Sequence, residues 1–180
     1  MFHNAMKFLA LSVILTAGAA NATNTVEIDH CNFNISQPGH YKVVADLQCA
    51  QNEPYAIRIS NTQNSEVDLD LNGHRLRGFV GSNGFQYTIG LFLHNARRVE
   101  IKSDRNGAEL RGFQTAIQLW DQNRDVEIEG RKILVRDSAS GLQIRNSRDV
   151  TVRRMRFQNN RVDQLTQNSQ EVTVSDLNDL

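Results

Sequence analysis

The feature that narrows the fold most is a repeat. Five segments place a charged residue directly before a valine, follow it two positions later with a second aliphatic residue, and open on Asn a few positions earlier. They are Asn64-Ser-Glu-Val67-Asp-Leu69, Asn95-Ala-Arg-Arg-Val99-Glu-Ile101, Asn123-Arg-Asp-Val126-Glu-Ile128, Asn146-Ser-Arg-Asp-Val150-Thr-Val152 and Asn168-Ser-Gln-Glu-Val172-Thr-Val174. The valines stand 32, 27, 24 and 22 residues apart. The spacing shrinks toward the length of one plain coil of a parallel β-helix, in which coils stack because none can bury its apolar face alone.

The first four repeats each carry two more short alternating stretches. Upstream of the turns lie Ile57-x-Ile59, Ile89-x-Leu91-x-Leu93, Ile117-x-Leu119 and Leu142-x-Ile144, and downstream lie Leu76 to Phe79, Leu110 to Phe113, Ile133 to Val135 and Met155 to Phe157. Alternation at period two sends one column of side chains inward and the next outward, so 39% hydrophobic residues are enough for a core. No window of about 12 residues holds the i, i+3, i+4, i+7 stripe of an amphipathic helix. A sandwich of hairpins also suits regularly spaced strands, but it does not generate a three-strand unit. An all-β solenoid of about five coils is therefore predicted over 55–180. The Gly-rich stretch from Gly78 to Gly90 reads as a loop inserted into one coil. Four residues before each valine stand Gln63, Asn95, Gln122, Asn146 and Asn168. Their amides either bond from coil to coil as a ladder or each serves its own turn.

Residues 1–22 read as a secretory signal peptide: Lys7 precedes the apolar stretch Phe8 to Ala20, and Ala20-Asn21-Ala22 offers small residues at the cleavage positions. An uncleaved anchor is the alternative, although the stretch is shorter than the roughly 20 residues of a spanning helix. No later segment is long and apolar enough to span, and a secreted or periplasmic location is expected. Residues 23–54 are expected to form an N-terminal cap over the first coil. Without Lys7, 19 basic residues face 20 acidic ones, so no net field draws nucleic acid or an anionic membrane, and neither is an expected partner. Cys31 and Cys49 read as a disulfide in an oxidising compartment, since a metal or redox site would want closer spacing or further ligands. The C-terminal end of the stack shows no equivalent cap and is expected to self-associate or to be covered by the last residues.

On these features the chain resembles the right-handed parallel β-helix proteins of the pectate-lyase-like superfamily. It is most similar to small secreted members that open with a Cys, a Gly-x-Tyr segment, a second Cys and a Leu-Asn-Gly-His coil. Here those are Cys31, Gly39-His-Tyr41, Cys49 and Leu71-Asn72-Gly73-His74. The resemblance spans residues 28 to 176. It implies a right-handed coil and a polysaccharide, acidic glycans among the candidates, bound or acted on at the outer face of a parallel sheet. The alternative is a noncatalytic envelope module, structural or protein-binding. Asn72-Gly73 is explained by a corner that needs positive φ, and His74 lies just outside it.

The valine register yields two outward columns where such chemistry would sit. One position after the valines come Asp68, Glu100, Glu127, Thr151 and Thr173; three positions after come Asp70, Lys102, Glu129, Arg153 and Ser175. Asp68, Glu100, Glu127 and Arg153 are the candidate catalytic residues, with Asp70, Glu129, Lys102 and Tyr87 as candidate substrate contacts. Stacked carboxylates repel unless a cation or a shared proton intervenes, so the column reads as a Ca²⁺ site or an acid pair, with Arg153 as a carboxylate clamp or base. The other reading is a solvated face of cross-strand ion pairs. The basic run Arg148, Arg153, Arg154, Arg156 and Arg161 suggests a polyanion stripe, though adjacent strand residues face opposite ways. Aromatic residues are few; Trp120 is placed beside the core strand Ile117 to Leu119, leaving Phe85, Tyr87 and Phe92 as stacking surfaces.

Overall fold

The computed structural model describes residues 24–62, 66–81, 84–85, 88–103 and 106–176. Its strands in chain order are β1 (Val26–Ile28), β2 (Phe33–Ile35), β3 (Gly39–Val43), β4 (Leu47–Gln48), β5 (Tyr55–Ser60), β6 (Val67–Asp70), β7 (Arg75–Arg77), β8 (Val80–Gly81) and β9 (Gly84–Phe85). They continue as β10 (Ile89–His94), β11 (Arg97–Ser103), β12 (Ala108–Arg111), β13 (Thr115–Trp120), β14 (Arg124–Arg136), β15 (Ser140–Arg145), β16 (Arg148–Gln158), β17 (Val162–Gln167) and β18 (Gln170–Asp176). The described residues form an all-β parallel solenoid of about five turns, as the repeat predicts.

The five valines lie side by side in one unbroken register, Val67 on Val99 on Val126 on Val150 on Val172. A second file runs Ile57, Leu91, Ile117, Leu142 through β5, β10, β13 and β15. A third runs Leu47, Leu76, Leu110, Val135, Phe157. These inward columns make one continuous core, nearly all of it fully buried. In the later coils the corner between the valine strand and the third-file strand is absorbed into β14 and β16, each a long strand with a register shift after Glu129 and Arg153. The Gly78 to Gly90 insertion contains a short antiparallel hairpin of β8 on β9.

Residues 24–54 hold more than a cap. β2, β3 and β4 pair in parallel with β5, β6 and β7, so this segment supplies a full coil, and β1 covers β3 at its open edge. Cys31 and Cys49 are bonded across this coil, with Cα atoms 5.4 Å apart.

The corners explain the polar turn residues. Asn95, Gln122, Asn146 and Asn168 all have φ of 49° or 50°, and the residue directly before a valine is left-handed at Arg98, Asp125, Asp149 and Glu171. Asn adopts that conformation more readily than most residues. The amide ladder differs from the one expected, because coil three spends an extra left-handed residue at Asp121-Gln122. Asn146 Nδ2 therefore donates to Asp121 Oδ1 at 2.9 Å rather than to Gln122, and Asn95 Nδ2 donates to Asn61 Oδ1 at 3.0 Å. Gln63 and Asn64 lie outside the described residues.

The polar residue that matters most sits one position inward. Asn123 is 1% exposed. Its Oδ1 accepts the Ala96 N–H at 3.0 Å, and its Nδ2 donates to Leu93 O at 3.3 Å and to Ser147 Oγ at 3.2 Å. One side chain thus joins three rungs. The small residues Gly90 and Gly141 have a separate reason: a Cβ at Gly90 would stand 2.4 Å from Ala116 O, and one at Gly141 would stand 2.8 Å from the Phe157 ring.

Asn123→Ala leaves the Ala96 N–H buried and unpaired, which costs about 1 to 3 kcal/mol. Urea unfolding is expected to show that loss with an unchanged m-value, whereas substitution of the exposed Asn168 by Ala is expected to cost clearly less. Reduction of Cys31–Cys49 is expected to lower stability by about 3 kcal/mol, from the roughly 18-residue loop it closes.

Candidate functional site

The strands β3, β6, β11, β14, β16 and β18 present the predicted outward columns in register. Asp68, Glu100, Glu127, Thr151 and Thr173 neighbour one another in turn, as do Asp70, Lys102, Glu129, Arg153 and Ser175. β3 adds His40 beside Asp68 and Lys42 beside Asp70, two members that the division of the chain into cap and coils did not assign to the columns.

The side chains in these columns are largely committed to one another. Asp68 is mostly covered, its side chain 15% exposed. Its Oδ2 accepts from Lys102 Nζ at 2.6 Å and lies 3.1 Å from His40 Nδ1, while Oδ1 is buried with no hydrogen-bond partner among the described residues. Lys102 also lies 3.8 Å from Glu100 Oε1. Burial works against the charged ammonium, but the hydrogen bond to Asp68 and the charges of Asp68, Glu100 and Asp70 outweigh it and hold the Lys102 pKa above its ordinary value. Asp70 Oδ1 accepts the Asn72 N–H at 2.7 Å, inside its own corner. Glu129 Oε1 lies 3.3 Å from Arg154 Nη1. Arg154 has φ of 58° at the β16 irregularity, so strict alternation does not govern it, and it rather than Arg153 reaches Glu129.

This arrangement is an ion-paired zipper. A Ca²⁺ ion takes six to eight oxygens, and among the described residues no three acidic or histidine side chains of these columns bring ligand atoms within 4.8 Å of one another, while Asp68 Oδ2 is taken by the Lys102 ammonium. The residues therefore do not fit Ca²⁺. Glu127 makes no ion pair among the described residues. Tyr87 lies outside the described residues.

His74 is likewise anchored. Its Nδ1 lies 3.2 Å from Asp46 Oδ1, the atom that accepts the Arg75 N–H at 3.0 Å. That backbone hydrogen bond, together with His74, lowers the Asp46 pKa. Asn72 and Gly73 form the expected corner, with φ of 50° and 76°, and Asn72 Nδ2 donates to Val43 O at 3.0 Å on the coil before.

The second sheet, β2, β5, β10, β13, β15 and β17, presents a different surface. Its outward positions form two adjacent rows: Asn34, Arg58, Phe92, Gln118, Gln143 and Leu165 in one, and Ser60, His94, Trp120, Arg145 and Gln167 in the other. The Arg145 guanidinium lies over the Trp120 ring at 4.7 Å, and that of Arg58 over Phe92 at 5.7 Å. The Phe92 and His94 rings are 6.0 Å apart, and Gln118 Nε2 donates to Gln143 Oε1 at 3.0 Å. Arg58 Nε, Arg145 Nε and His94 Nδ1 are buried without a hydrogen-bond partner among the described residues. Trp120 therefore extends outward from the end of the core strand and belongs to this surface. The signal was legible in the x positions of the Ile-x-Ile pattern: Arg58, Phe92, Gln118 and Gln143 are those positions.

No family model, no curated protein and no solved structure matches this chain.

Lys102→Met is expected to lower stability at neutral pH by about 0.5 to 1 kcal/mol, the range for a partly exposed pair. Because the folded-state pKa is raised, the stabilisation is fully present below the ordinary lysine value of 10.5 and fades as pH rises through the folded-state value. Thermal melts of the two proteins should accordingly converge in strong alkali and differ at pH 7.

Proposed function

We propose that this chain is an exported module that binds polysaccharide along the outer face of the second sheet, through Trp120, Phe92, His94, Arg58, Arg145, Gln118 and Gln143, and does not cleave it. The observation that carries this reading is the pair of in-register rows that set half-buried aromatic rings beside planar amides and guanidinium groups. Aromatic rings offer flat apolar area at little entropic cost. Side-chain amides and guanidiniums supply donors for ring hydroxyls and carboxylates. Rungs repeat about every 4.8 Å, on the order of one sugar residue, so successive rungs can meet successive sugars of an extended chain.

Binding is favoured over cleavage because the carboxylates best placed for chemistry are engaged: Asp68 by Lys102 and His40, and Glu129 by Arg154. The disulfide is compatible with an oxidising compartment, and with the apolar leader it supports export to the periplasm or beyond. The parallel coil supports kinship with the pectate-lyase-like superfamily at the level of architecture.

Binding is best read by titrating the protein with a panel of extended neutral and acidic polysaccharides. Trp120→Ala is expected to weaken the best ligand at least roughly tenfold, as an interface aromatic does, with Trp120→Phe retaining most of the affinity and both proteins melting cooperatively. Release of new reducing or unsaturated ends, or affinity indifferent to Trp120, would overturn the proposal.

A further inference from the structure

The stack closes differently at its two ends. At the N-terminal end the rim is short: β1 and β2 have three residues each, β4 has two, and β1 already covers the edge of β3. At the C-terminal end the rim is long, with six residues in β17 and seven in β18. Among the described residues no strand pairs with the far side of either. A row of unpaired N–H and C=O groups of that length is a template for another strand.

The C-terminal rim is also stepped. β18 lies along the valine half of β16, whereas the third-file half, residues 155–158, is met only where Met155 pairs with Asp176. Phe157 is the last described member of its file and stays 9% exposed. Val172 and Val174 end the valine columns and are partly buried, although Val150 and Val152 beside them are fully buried. The core is thus left open along this step, and apolar cover there is favourable.

β17 gives its side of the rim another character. Its inward positions beside Leu142 and Ile144 hold Gln164 and Thr166, and all six of its residues are exposed. Gln and Thr side chains both donate and accept, so each can bond to a copy of itself. Val162 and Leu165, 43% and 40% exposed, also lie on this strand. β18 by contrast carries Glu171 hydrogen-bonded to Asp149, and laying β18 on itself would crowd four carboxylates together.

We propose that the C-terminal end pairs with the same end of a second copy, across a two-fold axis through the middle of β17. The two β17 strands then run antiparallel. β18 of each copy lies on residues 155–158 of the other, so the step of one fills the notch of the other. Val172 and Val174 come over the Phe157 file. Glu171 comes to the strand that carries Arg156, which is exposed and makes no ion pair among the described residues. An axis through β18 would instead set step against step. Pairing with the short N-terminal rim would leave at least half of each long strand unmatched and would propagate as a fibre, whereas a two-fold interface closes at two copies. The same axis sets the second sheets of both copies side by side as one face. Nothing in this pairing depends on what the Trp120 rows bind.

Sedimentation equilibrium on the full chain over a range of concentrations is expected to show monomer and dimer and no larger species. The double variant Val162→Lys, Leu165→Lys brings four like charges to the axis. Both positions are exposed, so the monomer is expected to keep its fold, checked by a cooperative melt, while the dimer dissociation constant rises at least roughly tenfold. Under mild oxidation Leu165→Cys, near the axis, should form a covalent dimer, and Val26→Cys at the N-terminal rim should not. A monomer at every concentration, a mass that keeps growing with concentration, or a dimer indifferent to the two lysines overturns the proposal. So does crosslinking through Val26→Cys in place of Leu165→Cys.

Discussion

Everything in this molecule depends on parallel rungs turning their corners at the same place. A parallel ladder with side chains at period two tolerates no slip, because a shift of one residue would expose an entire inward column. The chain meets this constraint by placing a left-handed residue just before the valine in coil after coil, at Arg98, Asp125, Asp149 and Glu171, and by a left-handed Asn or Gln three residues earlier. The side chains at these corners have consequences of their own. Glu171 lies against Asp149, and that hydrogen bond and charge raise its pKa; two carboxylates are the result of repeating one corner on successive rungs.

Once the corners are fixed, the outer surfaces follow with no further instruction. Each outward position becomes a column, and the character of a face is whatever the columns contain. One face alternates charge and neutralises itself through Lys102, Asp68, His40, Glu129 and Arg154. The second sheet gathers rings, amides and guanidiniums. The third file gathers arginines. Burial of one shared core supplies the stability, which leaves the three outer faces free to diverge.

The inward columns were legible from the sequence because burial imposes the same demand on every coil: the valine register and all three strand files could be counted off. The outward columns next to the valines were legible too, since period two fixes them. Their contacts were not. Lys102 reaches diagonally to Asp68, and His40 enters from a segment read as a cap, because neither relation is a matter of spacing within one coil. The ladder shifted at Asp121-Gln122 for a similar reason: one extra left-handed residue is invisible to a count that expects equal corners. Asn123 was read as a turn residue, although its burial and three hydrogen bonds make it the tie between rungs. The aromatic and arginine faces were legible only in single members, Phe92 and Arg156, because the rows they belong to are made by the pairing of successive coils and not by spacing within one.

The most direct test of the account is a set of proton–proton contacts measured by nuclear magnetic resonance on the full chain in solution. The account predicts an unbroken file of side-chain contacts from Val67 through Val99, Val126 and Val150 to Val172, together with Arg145 methylene signals shifted upfield by the Trp120 ring. Antiparallel contacts among these segments, or Arg145 signals at their unstructured positions, would contradict both the stack and the surface it builds.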